Sequence, residues 1–265
     1  MPSQSSARPT GDPLSGPHAA PRAGVVWDVL RRALAERAGR VGGGALDVLD
    51  MGGGSGSFAV PVAALGHRVT VVDPSPDALF ALERRAAEEG VADTVRGVQG
   101  DTQDVLDVAG RGVFDLVLCH GVLEYVDDPG AGLRAVAGAL RPSGGTLSLL
   151  AAGAGGAVLS RALAGRFTEA RTALADPSGR WGPADPVPHR FTVERLTTLL
   201  TAAGLLPGQV HGVRIFADLL PGTLVDTEPD AGAALARLEA EAAVRPAFQA
   251  VAGQLHVLAE LPGEP

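Results

Sequence analysis

The chain predicts an α/β fold with a parallel sheet covered by helices on both faces. Three observations carry that expectation. Short apolar runs alternate with amphipathic stretches over residues 25–150, joined by links of about two to six residues. One apolar run, Val48-Leu49-Asp50-Met51, enters the glycine cluster Gly52-Gly53-Gly54-Ser55-Gly56. A second, His67-Arg68-Val69-Thr70-Val71-Val72, ends on a lone carboxylate, Asp73.

The elements follow in order. Val25–Ala38 reads as an amphipathic helix, with Val26, Val29, Leu30 and Ala33 on one stripe and Arg31, Arg32 and Glu36 opposite. Ala45–Met51 is the first strand, Ser57–Leu65 a helix and Arg68–Asp73 the second strand. Pro76–Glu89 is a helix stopped by Gly90. Strands are expected at Thr94–Gln99, Phe114–Cys119 and Gly145–Leu150, with a helix at Gly132–Leu140 that ends before Arg141-Pro142. The rhythm breaks over residues 152–190, rich in Gly, Ala, Arg and Pro, where one helix is expected near Val158–Leu163. Such a stretch is a lid or binding loop, or an insertion without fixed structure. A helix at Val193–Ala203, a strand near Gln209–Phe216, a helix at Ala231–Ala242 and a strand at Gln254–Leu258 complete the reading.

Composition bounds the function. At 265 residues and 46% hydrophobic content the chain can bury one large core, so residues 21–265 are read as one domain behind a disordered tail at 1–20. It has no Lys and no Asn, and Ile215 is its only Ile, a bias of the kind a GC-rich genome imposes. A formal net charge of −8 argues against broad attraction to nucleic acid, and no DNA partner is expected. Cys119 is the only Cys, which excludes an intrachain disulfide and makes a reducing cytoplasm the expected location. The longest mainly apolar run, Gly145–Leu159, is too short and too rich in Gly to span a bilayer. No Cys, His and carboxylate cluster has metal spacing, so no metal is expected. Oligomeric state is not legible.

The glycine cluster marks a nucleotide site. Glycines let the backbone turn sharply and approach a ligand, and a carboxylate such as Asp73 at the tip of the next strand can accept both ribose hydroxyls. Gly54-Ser55-Gly56-Ser57-Phe58-Ala59 also satisfies the dinucleotide pattern, so S-adenosylmethionine and a nicotinamide dinucleotide both remain open on these residues. Asp50 favours the former, because an acid before the glycines would repel a pyrophosphate.

The segment Leu116-Val117-Leu118-Cys119-His120-Gly121-Val122-Leu123-Glu124-Tyr125-Val126-Asp127-Asp128-Pro129, followed by Ala139-Leu140-Arg141-Pro142-Ser143-Gly144-Gly145-Thr146-Leu147, resembles the class I S-adenosylmethionine-dependent methyltransferases. Blocks at Arg22–Leu30, Gly212–Leu219, Leu238-Glu239, Arg245–Phe248 and Leu255–Val257 are similar to the bacterial tRNA 5-carboxymethoxyuridine methyltransferase family. The resemblance implies a Rossmann-like sheet of seven mostly parallel strands with one antiparallel strand, and S-adenosyl-L-methionine as cofactor. It assigns cofactor contacts to Arg22, Gly52, Gly53, Gly54, Asp73, Asp101, Thr102, Gln103 and His120. Arg22 would pair with the methionine carboxylate, Asp73 would hold the ribose, and Asp101-Thr102-Gln103 would flank the adenine.

His120 is the candidate catalytic residue, with a structural or cofactor-contacting histidine as the plainer readings. Tyr125, Arg214 and His256 are candidate acceptor contacts, and Trp181 a candidate to stack on the acceptor. A solvated or paired group is the plainer reading of Arg214, and a small core residue that of Cys119. The family's lysine-rich stretch is absent from Arg171–Pro188, and Phe248 stands where its Tyr would be. From Ala151 onward nine Arg face twelve Asp plus Glu, a poor surface for a polyanion. The expected reaction is therefore O-methylation of a carboxylate-bearing acceptor, a small molecule in preference to tRNA. Methylation of a tRNA wobble uridine and a non-catalytic cofactor-binding regulator are the alternatives.

Overall fold

The computed structural model describes residues 19–142, 144–220 and 230–263, with side chains from Gly24 onward. The expected tail therefore lies outside the described residues, except for its last two. The chain runs α1 (Ala19–Arg40), β1 (Asp47–Met51), α2 (Ala59–Ala64), β2 (Arg68–Asp73), α3 (Pro76–Glu88), β3 (Val95–Gln99), α4 (Val105–Val108), β4 (Leu116–His120), α5 (Pro129–Ala139) and β5 (Thr146–Ala152). There follow α6 (Ala154–Leu163), α7 (Phe167–Ala175), α8 (Val193–Ala202), β6 (Leu206–Val213), α9 (Ala231–Ala243), α10 (Pro246–Gln249) and β7 (Gln254–Glu260).

The seven strands form one sheet in the order β3-β2-β1-β4-β5-β7-β6. All pairs are parallel except those of β7, which runs antiparallel to both β5 and β6. Strand alternation divides the core between two faces. Val48, Val69, Val71, Leu116 and Leu118 pack against Leu30 and Leu34 of α1, Val60 and Val62 of α2 and Leu82 of α3. Leu49, Met51, Val117, Cys119, Leu147 and Leu149 point the other way, onto Leu133 and Val136 of α5 and Leu196 and Leu200 of α8. Cys119 is the small core residue its position suggested; burial pushes its thiol up and leaves it unreactive.

Residues 152–190 carry more regular structure than their composition suggests. The helix expected near Val158–Leu163 begins at Ala154, and a second one, α7, packs beside it. No apolar periodicity announces α7, because its buried residues are only Ala170 and Ala173. Its start is fixed by charge: Glu169 receives Arg161 at 3.1 Å and Arg166 at 3.4 Å. The following loop is closed by a buried pair, Arg190 donating to Asp185 at 2.6 and 3.0 Å. Phe191 N–H then bonds Ala152 O at 2.8 Å, returning the segment to the end of β5. The short α10 has no counterpart in the sequence reading, while β6 begins at Leu206 rather than near Gln209 and stops at Val213.

At the opposite end of the strands, Asp115 ties four elements together. Its Oδ1 accepts from Arg37 of α1 at 3.0 Å and its Oδ2 from the Asp47 N–H at 3.0 Å. Its own N–H and carbonyl pair with Asp47 O and Thr146 N. Arg37 is only 5% exposed, so removing Asp115 takes a carboxylate away from a buried guanidinium. Asp115→Ala is expected to lower unfolding stability by about 3–5 kcal/mol in urea titrations monitored by circular dichroism.

Candidate active site

The glycine loop closes over two carboxylates. Gly52, at φ +67°, donates to Val72 O at 2.7 Å, and Gly54, at φ +54°, donates to Asp73 Oδ2 at 3.0 Å. Asp73 Oδ1 accepts from the Ser75 N–H at 2.9 Å. The Asp73 carboxylate thus bridges the glycine loop and the turn into α3, and each oxygen keeps a lone pair for a further donor. A Cβ on Gly53 would sit 2.5 Å from the Asp50 carboxyl carbon, and one on Gly52 would strike the Val122 side chain. Only glycine fits at either place. Asp50 is buried beneath the loop; burial, reinforced by the neighbouring charge of Asp73, pushes its carboxyl up to about 7 against an opposing hydrogen bond from Ala59.

Beside the loop lies a cavity of about 680 Å³, lined by Gly52, Pro74, Asp101-Thr102-Gln103, Gly121 and Tyr125 among others. That size suits an adenosyl group. Asp101 Oδ1 accepts from the Gln103 N–H at 2.7 Å, which fixes the turn after β3 against the cavity. The structure therefore brings Gly52, Asp101, Thr102 and Gln103 into one wall, with Gly53, Gly54 and Asp73 next to it along the chain. Tyr125, expected among the acceptor contacts, joins this wall and is 57% exposed. Arg22 lies in the first turns of α1, and its side chain is outside the described ones.

His120 and His256 form a second cluster. His120 ends β4, and in the sheet register His120, Leu150, His256 and His211 stand opposite one another across β4, β5, β7 and β6. All four lie at the carboxyl end of the parallel strands, the side on which such sheets bind ligands. His120 Nε2 is 2.9 Å from Ser148 Oγ, and Ser148 Oγ is 2.8 Å from His256 Nε2. Phe58, at the entry to α2, meets the His120 ring edge to face at 4.6 Å, and Trp27 of α1 packs on Phe58. Burial pushes His120 down to about 3 and His256 well below the usual imidazole range, with the nearby His120 and His211 adding to the effect on His256. Both rings are neutral at physiological pH. Ser148 and His211 were not singled out in the sequence, although a lone polar residue inside an apolar strand was the available signal.

Arg214 joins neither group. It adopts φ +58°, and its guanidinium is paired with Asp218 through Nε at 2.9 Å and Nη2 at 2.8 Å. This pairing supports the plainer reading of Arg214 as a paired group over that of a candidate acceptor contact. The turn it opens is held by Glu239, a buried carboxylate of α9 that accepts from the Ile215, Phe216 and Ala217 N–H groups at 3.0, 2.8 and 2.8 Å. Trp181 is covered on one face by Arg161, 4.1 Å from the ring centroid. Glu124, just after β4, is buried beneath the segment that ends in α8, its backbone carbonyl taking the His189 N–H at 3.1 Å. Burial pushes its carboxyl up to about 7.

Residues 49–147 match the methyltransferase domain family model. Over 199 residues the chain is 34% identical to the tRNA 5-carboxymethoxyuridine methyltransferase of Escherichia coli, covering 75% of this chain and 73% of that protein. A shorter region, 37% of this chain and 38% of the relative, is 39% identical to the ubiquinone biosynthesis O-methyltransferase of Caulobacter vibrioides. The fold superposes with a TM-score of 0.57 on an S-adenosylmethionine-dependent methyltransferase from Mesorhizobium loti, at 22% identity, covering 93% and 99% of the two chains. The chain belongs to the class I S-adenosylmethionine-dependent methyltransferases. It is an enzyme whose cofactor is S-adenosylmethionine. The residues present fit that cofactor: two glycines whose Cβ atoms have no room, a strand-tip carboxylate with open lone pairs, and a cavity of adenosyl size. No helix among the described residues is long and apolar enough to cross a membrane, and none of their side chains cluster as metal ligands.

Two expectations follow for this methyltransferase. Asp73→Ala removes the carboxylate placed to accept charge-assisted hydrogen bonds, and titration calorimetry should show S-adenosylhomocysteine bound about ten- to a hundredfold more weakly. The second concerns pH. Asp50 holds its proton more tightly folded than unfolded, so its contribution to stability is complete below the ordinary value of 3.8 and is lost as pH rises through about 7. Glu124, raised from 4.5 to about 7, acts in the same sense and window. The ligand-free protein should lose stability as pH rises across that range, and Asp50→Asn should flatten the slope in denaturation curves measured at a series of pH values.

Proposed function

We propose that this enzyme transfers the methyl group of S-adenosylmethionine to an oxygen of a small, carboxylate-bearing acceptor. The observation that carries the preference for a small acceptor is the state of its arginines. Of the nine that follow Ala151, Arg161, Arg166, Arg190 and Arg214 are paired with carboxylates of this chain, and Arg195 is turned onto the carbonyls of Pro177 and Arg190. With four of the nine already matched by carboxylates of the chain, fewer cations are left for a phosphate backbone. Both named relatives above support oxygen as the target, one carrying a carboxymethoxy group in its name and the other named as an O-methyltransferase.

The bound cofactor supplies a methyl already activated by the sulfonium, so a carboxylate can take it without losing a proton. Residues of the chain then have to position and dehydrate. Asp73 would hold the ribose, Asp101-Thr102-Gln103 the adenine and Arg22 the methionine carboxylate. Residues 152–190 would close over the carboxyl end of β5 as a lid. No general base is required for this acceptor, which leaves His120 a binding role.

Tritium transfer from labelled S-adenosylmethionine into fractions of a bacterial extract tests the reading. Label is expected in acid-bearing small metabolites, and tRNA anisotropy titrations with saturating S-adenosylhomocysteine should show binding weaker than micromolar near physiological salt. Submicromolar tRNA binding that falls steeply with added salt, with label in tRNA, would favour instead the tRNA 5-carboxymethoxyuridine methylation named for the Escherichia coli relative.

A further inference from the structure

A second hollow, of about 390 Å³, opens at the amino ends of β1 and β2. Arg31, Leu34 and Ala38 of α1 form one side of it. The turn Gly43-Gly44-Ala45 before β1 forms another, and Leu65-Gly66-His67 between α2 and β2 the third. It shares no lining residue with the cofactor cavity, which lies at the other end of the strands. Its volume is within the range of small-molecule sites.

Arg31 and His67 are the only polar side chains that line this hollow, and no carboxylate does. His67 is 8% exposed, and its Nδ1 accepts the Leu46 N–H at 3.3 Å, so that nitrogen bears no hydrogen. Burial pushes the ring below the usual imidazole range, against the opposing charge of Asp115, and the ring is neutral at physiological pH. Its hydrogen is therefore on Nε2. That atom has no partner among the described residues and is not one of the sealed ones, so it opens to the hollow that the ring lines.

The surroundings add donors and leave little negative charge unmet. The N–H groups of Gly44 and Ala45, in the lining turn, have no hydrogen-bond partner among the described residues. Arg31 is exposed and in no ion pair among them. Asp115 is paired with Arg37 and Arg141, and Asp47 with Arg68 and Arg141. The two helices that end beside the hollow are capped, Ala38 O by the Gly43 N–H at 2.7 Å and Ala63 O by the Gly66 N–H at 2.8 Å. A free guanidinium and a fixed neutral N–H over an apolar floor match an anion carried on a small hydrocarbon body.

We infer that this hollow is a second binding site, for a small organic anion. Arg31 and His67 hold its carboxylate or phosphate head, and Leu34, Ala38 and Leu65 its apolar body. Such an occupant ties α1 to the turn between α2 and β2, so its binding raises the stability of the folded chain.

Benzoate and phenyl phosphate are the probes, with benzamide as the uncharged control. Each is titrated into the full chain saturated with S-adenosylhomocysteine, which keeps the cofactor site filled. Long-range ¹H–¹⁵N correlation spectra should show His67 protonated on Nε2. Its signals should move with one or both anions and not with benzamide, and the anion effective at the lower concentration identifies the head group. The same anion should raise the melting temperature. Arg31→Gln, at an exposed position, should weaken that anion about tenfold and leave S-adenosylhomocysteine affinity unchanged. Four results would each overturn the inference: His67 protonated on Nδ1, His67 signals unmoved by both anions, an equal response to benzamide, or undiminished anion binding by Arg31→Gln.

Discussion

Two carboxylates stand near the ends of neighbouring strands, Asp50 on β1 and Asp73 on β2, in different surroundings. Asp73 receives two backbone N–H groups, while Asp50 has burial above all and is driven toward its neutral form. That asymmetry shapes the rest of the site. The glycine loop bends over Asp50 with no room for a Cβ, reaches Asp73 through Gly54, and delivers Phe58 at the start of α2 against His120. The glycine loop thus links this pair of acids to the surroundings of His120.

The two halves of the site were not equally legible. Gly52, Gly53 and Asp73 are each close in sequence to the strand that presents them, so motif and spacing marked them, while the Asp101–Gln103 turn came from the family resemblance and lies at the same cavity. The histidine cluster is assembled from parts far apart in the chain. Ser148 matters because β5 lies between β4 and β7, and His211 because β6 lies outside β7; neither adjacency is written in local periodicity. Arg214 shows the converse: a free-looking cation in the sequence is paired in the fold with Asp218, four residues on. Helix α7 escaped notice because alanines and the Glu169 ion pairs hold it in place of an apolar stripe.

Buried polar contacts recur wherever this half needs a fixed geometry. Arg190 and Asp185 close the loop before α8, Glu239 grips three successive N–H groups after β6, and Ser148 joins two histidines. Each is costly to bury and costly to break, and each holds a non-regular segment that apolar packing alone would leave loosely defined.

The placement of β7 has a bearing on biosynthesis. It follows every other strand of the sheet in chain order, yet it lies between β5 and β6 and supplies the only hydrogen-bonded partner of β6 among the described strands. The nascent chain can complete the cradle around β1–β4 long before the histidine row exists. Until β7 docks, β5 and β6 both present open edges, and an open edge is where foreign strands attach. Chaperone dependence and translation-speed effects in this protein should therefore concentrate on the interval between the synthesis of β5 and that of β7.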